Sequence, residues 1–202
     1  MKKTFPKPGN FLYPVPAVMV SLRDREGKDN IITIAWTGTV CSDPPMTYIS
    51  VRPQRASYQA LKETGEFVIN LPDEKLTKAL DYCGVRSGRD TDKWADMQLT
   101  RECSSMVQAP MIREAPVSIE CRVKQVIPLG SHDMFLAEVL AVHVDEKFLD
   151  EKGGFHMEDV HLLAYSHGDY MTLGKKTGSF GYSVRKKTRK PLKRNKQTGS
   201  VK

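Results

Sequence analysis

The chain has 202 residues, enough for one domain with a sizeable core, and 31 Lys and Arg against 24 Asp and Glu give it a formal net charge of +7. Nine of the basic residues lie between 185 and 202, where there is no acid, so the body carries 22 basic against 24 acidic side chains and the excess positive charge belongs to the tail. No apolar run is long enough to cross a bilayer, Met1-Lys2-Lys3 does not open a secretory leader, and four scattered cysteines without a Cys-x-x-Cys pair fit free thiols in a reducing cytoplasm better than a zinc or thioredoxin-type site.

Pro14 to Ser21 reads as a strand, and the glycine-containing stretch 23 to 29 as a hairpin connection into the β-branched run Asn30 to Trp36. Thr37-Gly-Thr-Val-Cys-Ser42 is a run of small and hydroxyl-bearing residues. Asp43-Pro44-Pro45 must turn, because proline cannot donate to a ladder, and Met46 to Val51 returns as a strand. A helix from about Ser57 to Thr64 ends on Gly65, which suits a left-handed cap, and Glu66 to Leu71 is the next strand. Asp73 is an N-cap for a helical stretch reaching Leu80, with Leu76, Ala79 and Leu80 on one face. A second short helix covers Thr91 to Met97.

Val117 to Lys124 alternates apolar and polar residues, as expected of a strand with one wet face. Beyond the Leu129-Gly-Ser-His132 turn, Phe135 to Val144 is almost wholly apolar and predicts a strand buried on both sides. Residues 145 to 160 read as loop or short helix, and 162 to 173 carries Tyr165, Tyr170 and a turn at Gly168. Helices that sit between strands without alternating with them predict a mainly β closed barrel and not a doubly wound sheet.

Chemistry concentrates at Arg52-Pro-Gln-Arg-Ala-Ser-Tyr58. A helix start offers unpaired N–H groups and partial positive charge, so Arg55 and the Ser57 hydroxyl there, with Arg52 and Tyr58 beside them, make a phosphate site. The small residues before it would let a flat ring approach backbone amides. Cys41 lies in that block, either as a small buried hydrophobe or bordering the ring. The five histidines lack the paired spacing of a helical zinc site, and no metal is expected. There is no Gly-x-Ser-x-Gly elbow and no strand-borne Gly-x-Gly-x-x-Gly.

The blocks Tyr13-Pro-Val-Pro16, Thr33-Ile-Ala-Trp36, Ser42-Asp-Pro-Pro45, Ser50 to Tyr58, Glu66 to Pro72 and Ser87 to Trp94 occur in order. Together they resemble the flavoredoxin branch of the flavin reductase-like, FMN-binding split-barrel proteins over most of residues 10 to 182. The resemblance implies a six-stranded Greek-key split barrel with short flanking helices, placed over residues 1–184, and a homodimer with FMN near the subunit interface, while the tail at 185–202, basic and poor in apolar side chains, is expected to be disordered. It implies that Ala35, Trp36, Thr37, Gly38, Ser50 and Val51 line the ring and ribityl chain, with Trp36 as a wall. Arg52, Arg55, Ser57 and Tyr58 would hold the phosphate, and Ser87, Gly88 and Lys93 would close over the phosphate or the pyrimidine edge. No catalytic residue is expected of the protein, because the cofactor carries the chemistry. The implied function is NAD(P)H-dependent flavin reduction. A flavoredoxin-like carrier fed by another redox protein is the alternative. A flavin-free module that binds nucleic acid through the tail is the third reading, and the absence of aromatic residues among the tail's charges argues against it.

Overall fold

The computed structural model describes residues 1–185. Its first strands are β1 (Val15–Pro16), β2 (Val18–Arg23), β3 (Asp29–Ile34), β4 (Thr37–Ser42), β5 (Pro45–Val51) and β6 (Glu66–Leu71). They are followed by β7 (Arg101–Glu102), β8 (Met111–Ile112), β9 (Val117–Pro128), β10 (Asp133–Val144), β11 (Leu163–Ser166) and β12 (Asp169–Thr172). The helices are α1 (Ser57–Thr64), α2 (Thr77–Val85) and α3 (Lys93–Asp96). The basic tail expected at 185–202 lies, apart from Arg185, outside the described residues. Among those residues no helix is long and apolar enough to cross a membrane.

A seven-stranded antiparallel sheet in the order β3-β2-β6-β9-β10-β5-β4 forms the body. Period-two alternation explains why it curls. Val18, Val20 and Leu22 of β2, Ile32 and Ile34 of β3, Ile49 and Val51 of β5, Phe67 and Ile69 of β6, and Phe135 and Ala137 of β10 project into one buried cluster. The Ser50 N–H donates to the Trp36 carbonyl at 2.9 Å, continuing the β4–β5 register by one pair and tying the link between β3 and β4 to β5. Because no ladder joins β3 to β5, the barrel is split at that seam. Phe67 and Phe135 are fully buried, and each contributes about 1.5–3 kcal/mol by leaving water. The opposite faces of β2 and β3 send Met19 and Ile31 outward against Leu80 and Cys83 of α2 and Trp94 of α3. This second core holds the helices on the barrel's flank. A separate sheet, β1-β11-β12, brings the two ends of the domain together.

Several elements differ from the sequence expectation. The Asn30 strand stops at Ile34, and Thr37 to Ser42 pairs with β5 as the sheet edge, Gly38 opposite Tyr48 and Thr39 opposite Thr47. Hydroxyl-bearing residues suit an exposed edge, and the bend between β3 and β4 leaves Ala35 and Trp36 outside both strands, with Trp36 tied to β5 through Ser50. Strand β10 is not buried on both sides: Phe135 and Ala137 are buried, but Val142 is 57% exposed, because nothing among the described residues covers its far end. Strand β9 departs in the other direction. Glu120, expected on the wet face, is buried beneath the segment 103–109, and Ser118, expected there too, is buried with its hydroxyl donating to the Asn70 Oδ1 at 2.8 Å. Asp73 caps a 3-10 turn, Glu74–Leu76, that leads into α2, and α3 is only four residues long, capped by Asp92. Gly65 closes α1 with φ +66° as expected.

Candidate functional site

The seam between β3 and β5 opens into a cavity of about 500 Å³. Ile32, Ile34 and Val51 give it apolar walls, the 35–36 bend and Ser50 form its rim, and the last turn of α2 closes one side with Gly84 and Val85. That turn lies tight on β3. The Thr33 hydroxyl donates to the Leu80 carbonyl, and a methyl group on Gly84 would come within 3.1 Å of the Thr33 Cβ. Aromatic rings from distant parts of the chain complete the enclosure. Tyr13 lies 6.2 Å from Trp36 and 6.1 Å from Tyr165, and Tyr170 donates to Asp81 at 3.2 Å. Burial, reinforced by Asp81, pushes the Tyr170 phenol up to about 12.

Through Ile32, Arg55 and Val85 this cavity adjoins a smaller one of about 160 Å³, where the start of α1 faces the 86–89 turn. Its charged lining is Arg55, Arg86, Arg89 and Lys93, with no acid. Helix α1 begins with no acid in its first turn and no side-chain cap, so its positive end is left uncompensated. Lys93 is only 4% exposed. Its ammonium donates to the carbonyls of Ile31 at 2.7 Å and Cys83 at 2.8 Å. None of these four cations, nor Arg52, pairs with a carboxylate among the described residues. Burial holds the Lys93 pKa below its ordinary value, Cys83 opposes that shift and Arg55 adds to it. A buried ammonium compensated only by carbonyl dipoles is expensive, and an anion in the cradle would supply the missing counter-charge. The walls are fastened. Arg89 donates to the Gln54 carbonyl and Arg55 to the Gly84 carbonyl, both at 3.3 Å, and the Asn30 amide donates to the Ser57 hydroxyl at 3.0 Å. Gly88 must lack a side chain, since a Cβ there would stand 2.3 Å from the Asn30 Oδ1.

The structure therefore gathers most of the expected residues but sorts them. Ala35, Trp36, Ser50, Val51, Arg52 and Arg55 line the larger cavity, and Arg55, Ser57, Ser87, Gly88 and Lys93 line the cradle. Thr37 lies beside them in a wider cleft of about 830 Å³ on the far side of Trp36, its hydroxyl engaged by the Tyr48 carbonyl at 2.6 Å. Gly38 lines none of these spaces and instead admits the Tyr48 ring, which a methyl would meet at 3.3 Å. Tyr58 also points elsewhere. One residue on from Ser57, it is turned about 100° around the helix, packs edge-on to Phe135 and donates to Asp133 at 2.5 Å. Cys41 stands half-exposed against the Asp43 carbonyl, away from the cavities.

Sequence reasoning missed Tyr13, Asn30, Arg86, His132, Tyr165 and Tyr170 as lining residues. In the sequence His132 is one of five histidines without metal-ligand spacing, and Tyr13 stands out only as part of the Tyr13-Pro-Val-Pro16 block. The rest arrive from separate segments with no motif to connect them.

A flavin reductase like domain model matches residues 10–174. Flavoredoxin of Desulfovibrio vulgaris superposes with a TM-score of 0.84 at 30% identity, over 92% of this chain and 100% of that one. An FMN-binding protein from Thermus thermophilus superposes with a TM-score of 0.73 at 26% identity, over 89% and 98%. A protein of Archaeoglobus fulgidus is 30% identical over 142 residues, covering 70% of this chain and 79% of its own length.

Proposed function

The chain belongs to the flavin reductase-like family, and we propose that it is an FMN-dependent oxidoreductase that takes electrons from NAD(P)H. The observation that carries this reading is the acid-free cradle of Arg55, Arg86, Arg89 and Lys93 joined to a larger cavity with apolar walls. Its volume of about 500 Å³ is in the usual range for small-molecule sites. The donor set fits FMN: cations, the Ser57 and Ser87 hydroxyls and a free helix start for the phosphate, with Ile32, Ile34, Val51 and Val85 for a flat apolar ring.

Bound FMN supplies reversible one- and two-electron transfer. The protein's part is to hold and shield it. Lys93 and Arg55 neutralise the phosphate, with Lys93 fixed in place by two carbonyls. The apolar walls exclude water, and Tyr13, Trp36 and Tyr165 close the open edge. We extend the proposal to a homodimer, since Val40 on the edge strand β4 and Val142 on the end of β10 that β5 does not pair are 49% and 57% exposed and a second copy would cover them. A reducing cytoplasm agrees with four free cysteines.

The test is an FMN titration with flavin fluorescence as the signal, followed by NADH and NADPH oxidation with excess FMN. Quenching at stoichiometric FMN and steady turnover are expected. Absence of quenching would overturn the reading. Quenching without turnover, with reduction by another redox protein, would make the protein a carrier. Sedimentation velocity checks the dimer.

A further inference from the structure

The wide cleft on the far side of Trp36 has a different chemistry from the cradle. Its apolar lining comes from Phe11, Leu12 and Val15 of the amino-terminal segment, from Trp36, and from Leu129 and Met134 of the β9–β10 hairpin. Only one side chain in that lining carries a permanent charge, Arg52, and there is no acid. Arg52 has no carboxylate partner among the described residues. His132 also lines the cleft, and burial with the nearby Arg52 and Arg55 holds its pKa below the ordinary value, so at neutral pH it adds little positive charge. The Thr37 hydroxyl is already spent on a backbone carbonyl.

We propose that this cleft binds a small organic monoanion with a flat apolar body, its anionic group on Arg52 and its body between the amino-terminal segment and Trp36. Charge matching selects the class. A site with one cation in an otherwise uncharged lining favours one negative charge over a pyrophosphate, whose second charge would find no partner there. The cradle, with four cations, has the opposite preference. Trp36, Ala35, Ser50, Arg52 and His132 line both the cleft and the larger cavity, so the occupant would lie next to the flavin site. Its role as an electron acceptor rests on the FMN reading, whereas its binding does not.

Benzoate and its neutral counterpart benzyl alcohol are the probes, titrated by calorimetry into the full-length protein with and without FMN. Benzoate should bind at least tenfold more tightly than benzyl alcohol, with or without FMN, and Arg52→Gln should abolish the preference. Leu12→Asp, at a side chain 88% exposed, should weaken benzoate about tenfold by charge repulsion and leave FMN affinity unchanged. Equal affinity for the two probes, mutual exclusion of benzoate and FMN, or displacement of benzoate by NADH would each overturn the assignment. Failure of FMN to bind while benzoate still does would sink only the flavin reading.

Discussion

Glu120 and Lys93 are both buried charges, 0% and 4% exposed, yet the protein treats them in opposite ways. Glu120 is saturated. Its carboxylate accepts from the Ser105 N–H and hydroxyl, both at 2.8 Å, from the N–H groups of Met106 at 2.6 Å and Val107 at 3.0 Å, and it meets His143 Nε2 at 2.6 Å. Lys93 touches two carbonyls and no carboxylate. A buried charge that the chain satisfies completely is a fastener, here holding the 103–109 segment over β9. One that the chain leaves without counter-charge in a cavity marks a place for a ligand.

The largest expected effect breaks the fastener. Glu120→Leu orphans several donors at once and should cost about 3–5 kcal/mol of stability in chemical denaturation. FMN affinity of the folded fraction should be unchanged. Lys93→Met should do the reverse, weakening FMN by roughly ten- to a hundredfold, the equivalent of losing one charge-assisted bond of about 1.5–3 kcal/mol. Fluorescence titration reads the affinity. Its ligand-free stability should fall by less than that of Glu120→Leu, because the variant also removes an uncompensated charge.

Acid and base titrations sharpen the same contrast. Burial pushes the Glu120 carboxyl up, but hydrogen bonds from Ser105, Met106 and His143 outweigh it and hold the pKa at about 2, against an ordinary 4.5. The folded state therefore binds fewer protons between those values. Its Glu120 stabilisation is complete above about 4.5 and is lost as pH falls towards about 2. Lys93 has its pKa lowered from 10.5 by burial, so in the window below 10.5 the folded, ligand-free protein again binds fewer protons than the unfolded chain. Its stability should rise with pH there. Bound FMN, by favouring the charged ammonium, should flatten that rise; an unchanged slope in saturating FMN would take the phosphate away from Lys93. Denaturation midpoints across pH, with and without FMN, measure both. The smallest effect is Tyr58→Phe, which removes the Asp133 hydrogen bond. It should cost about 1 kcal/mol of stability and leave FMN affinity within twofold.

Much of the barrel was legible because β-branched and apolar runs such as Asn30 to Trp36 and Glu66 to Leu71 lie between glycine and proline turns. Their inward faces were not, since Met19 and Ser21 of β2 and Val68 and Asn70 of β6 are as buried as the core residues beside them. Alternation fails where another segment decides burial. Glu120 reads as solvent-facing until residues 105–107 lie over it, and the apolar run of β10 reads as doubly buried although Val142 is left open. In the site, the helix start with Arg55 and Ser57 was readable from local residue order, whereas Tyr58 beside them was misplaced because its direction depends on the helix phase and on Asp133, 75 residues away.

The sequence by itself determined the strands, the capped helices and a cationic turn ahead of α1, because these depend on side-chain period, proline and glycine geometry and neighbouring charge. Only the tertiary structure decided that Lys93 reaches that turn, that Arg86 and Arg89 join it, and that Tyr13 and Tyr165 close the cavity beside Trp36. Those meetings join residues far apart along the chain. They follow from the curl of the sheet that sets β3 across the cavity from β5 and from the packing of α2 and α3 against β3, which no local pattern encodes.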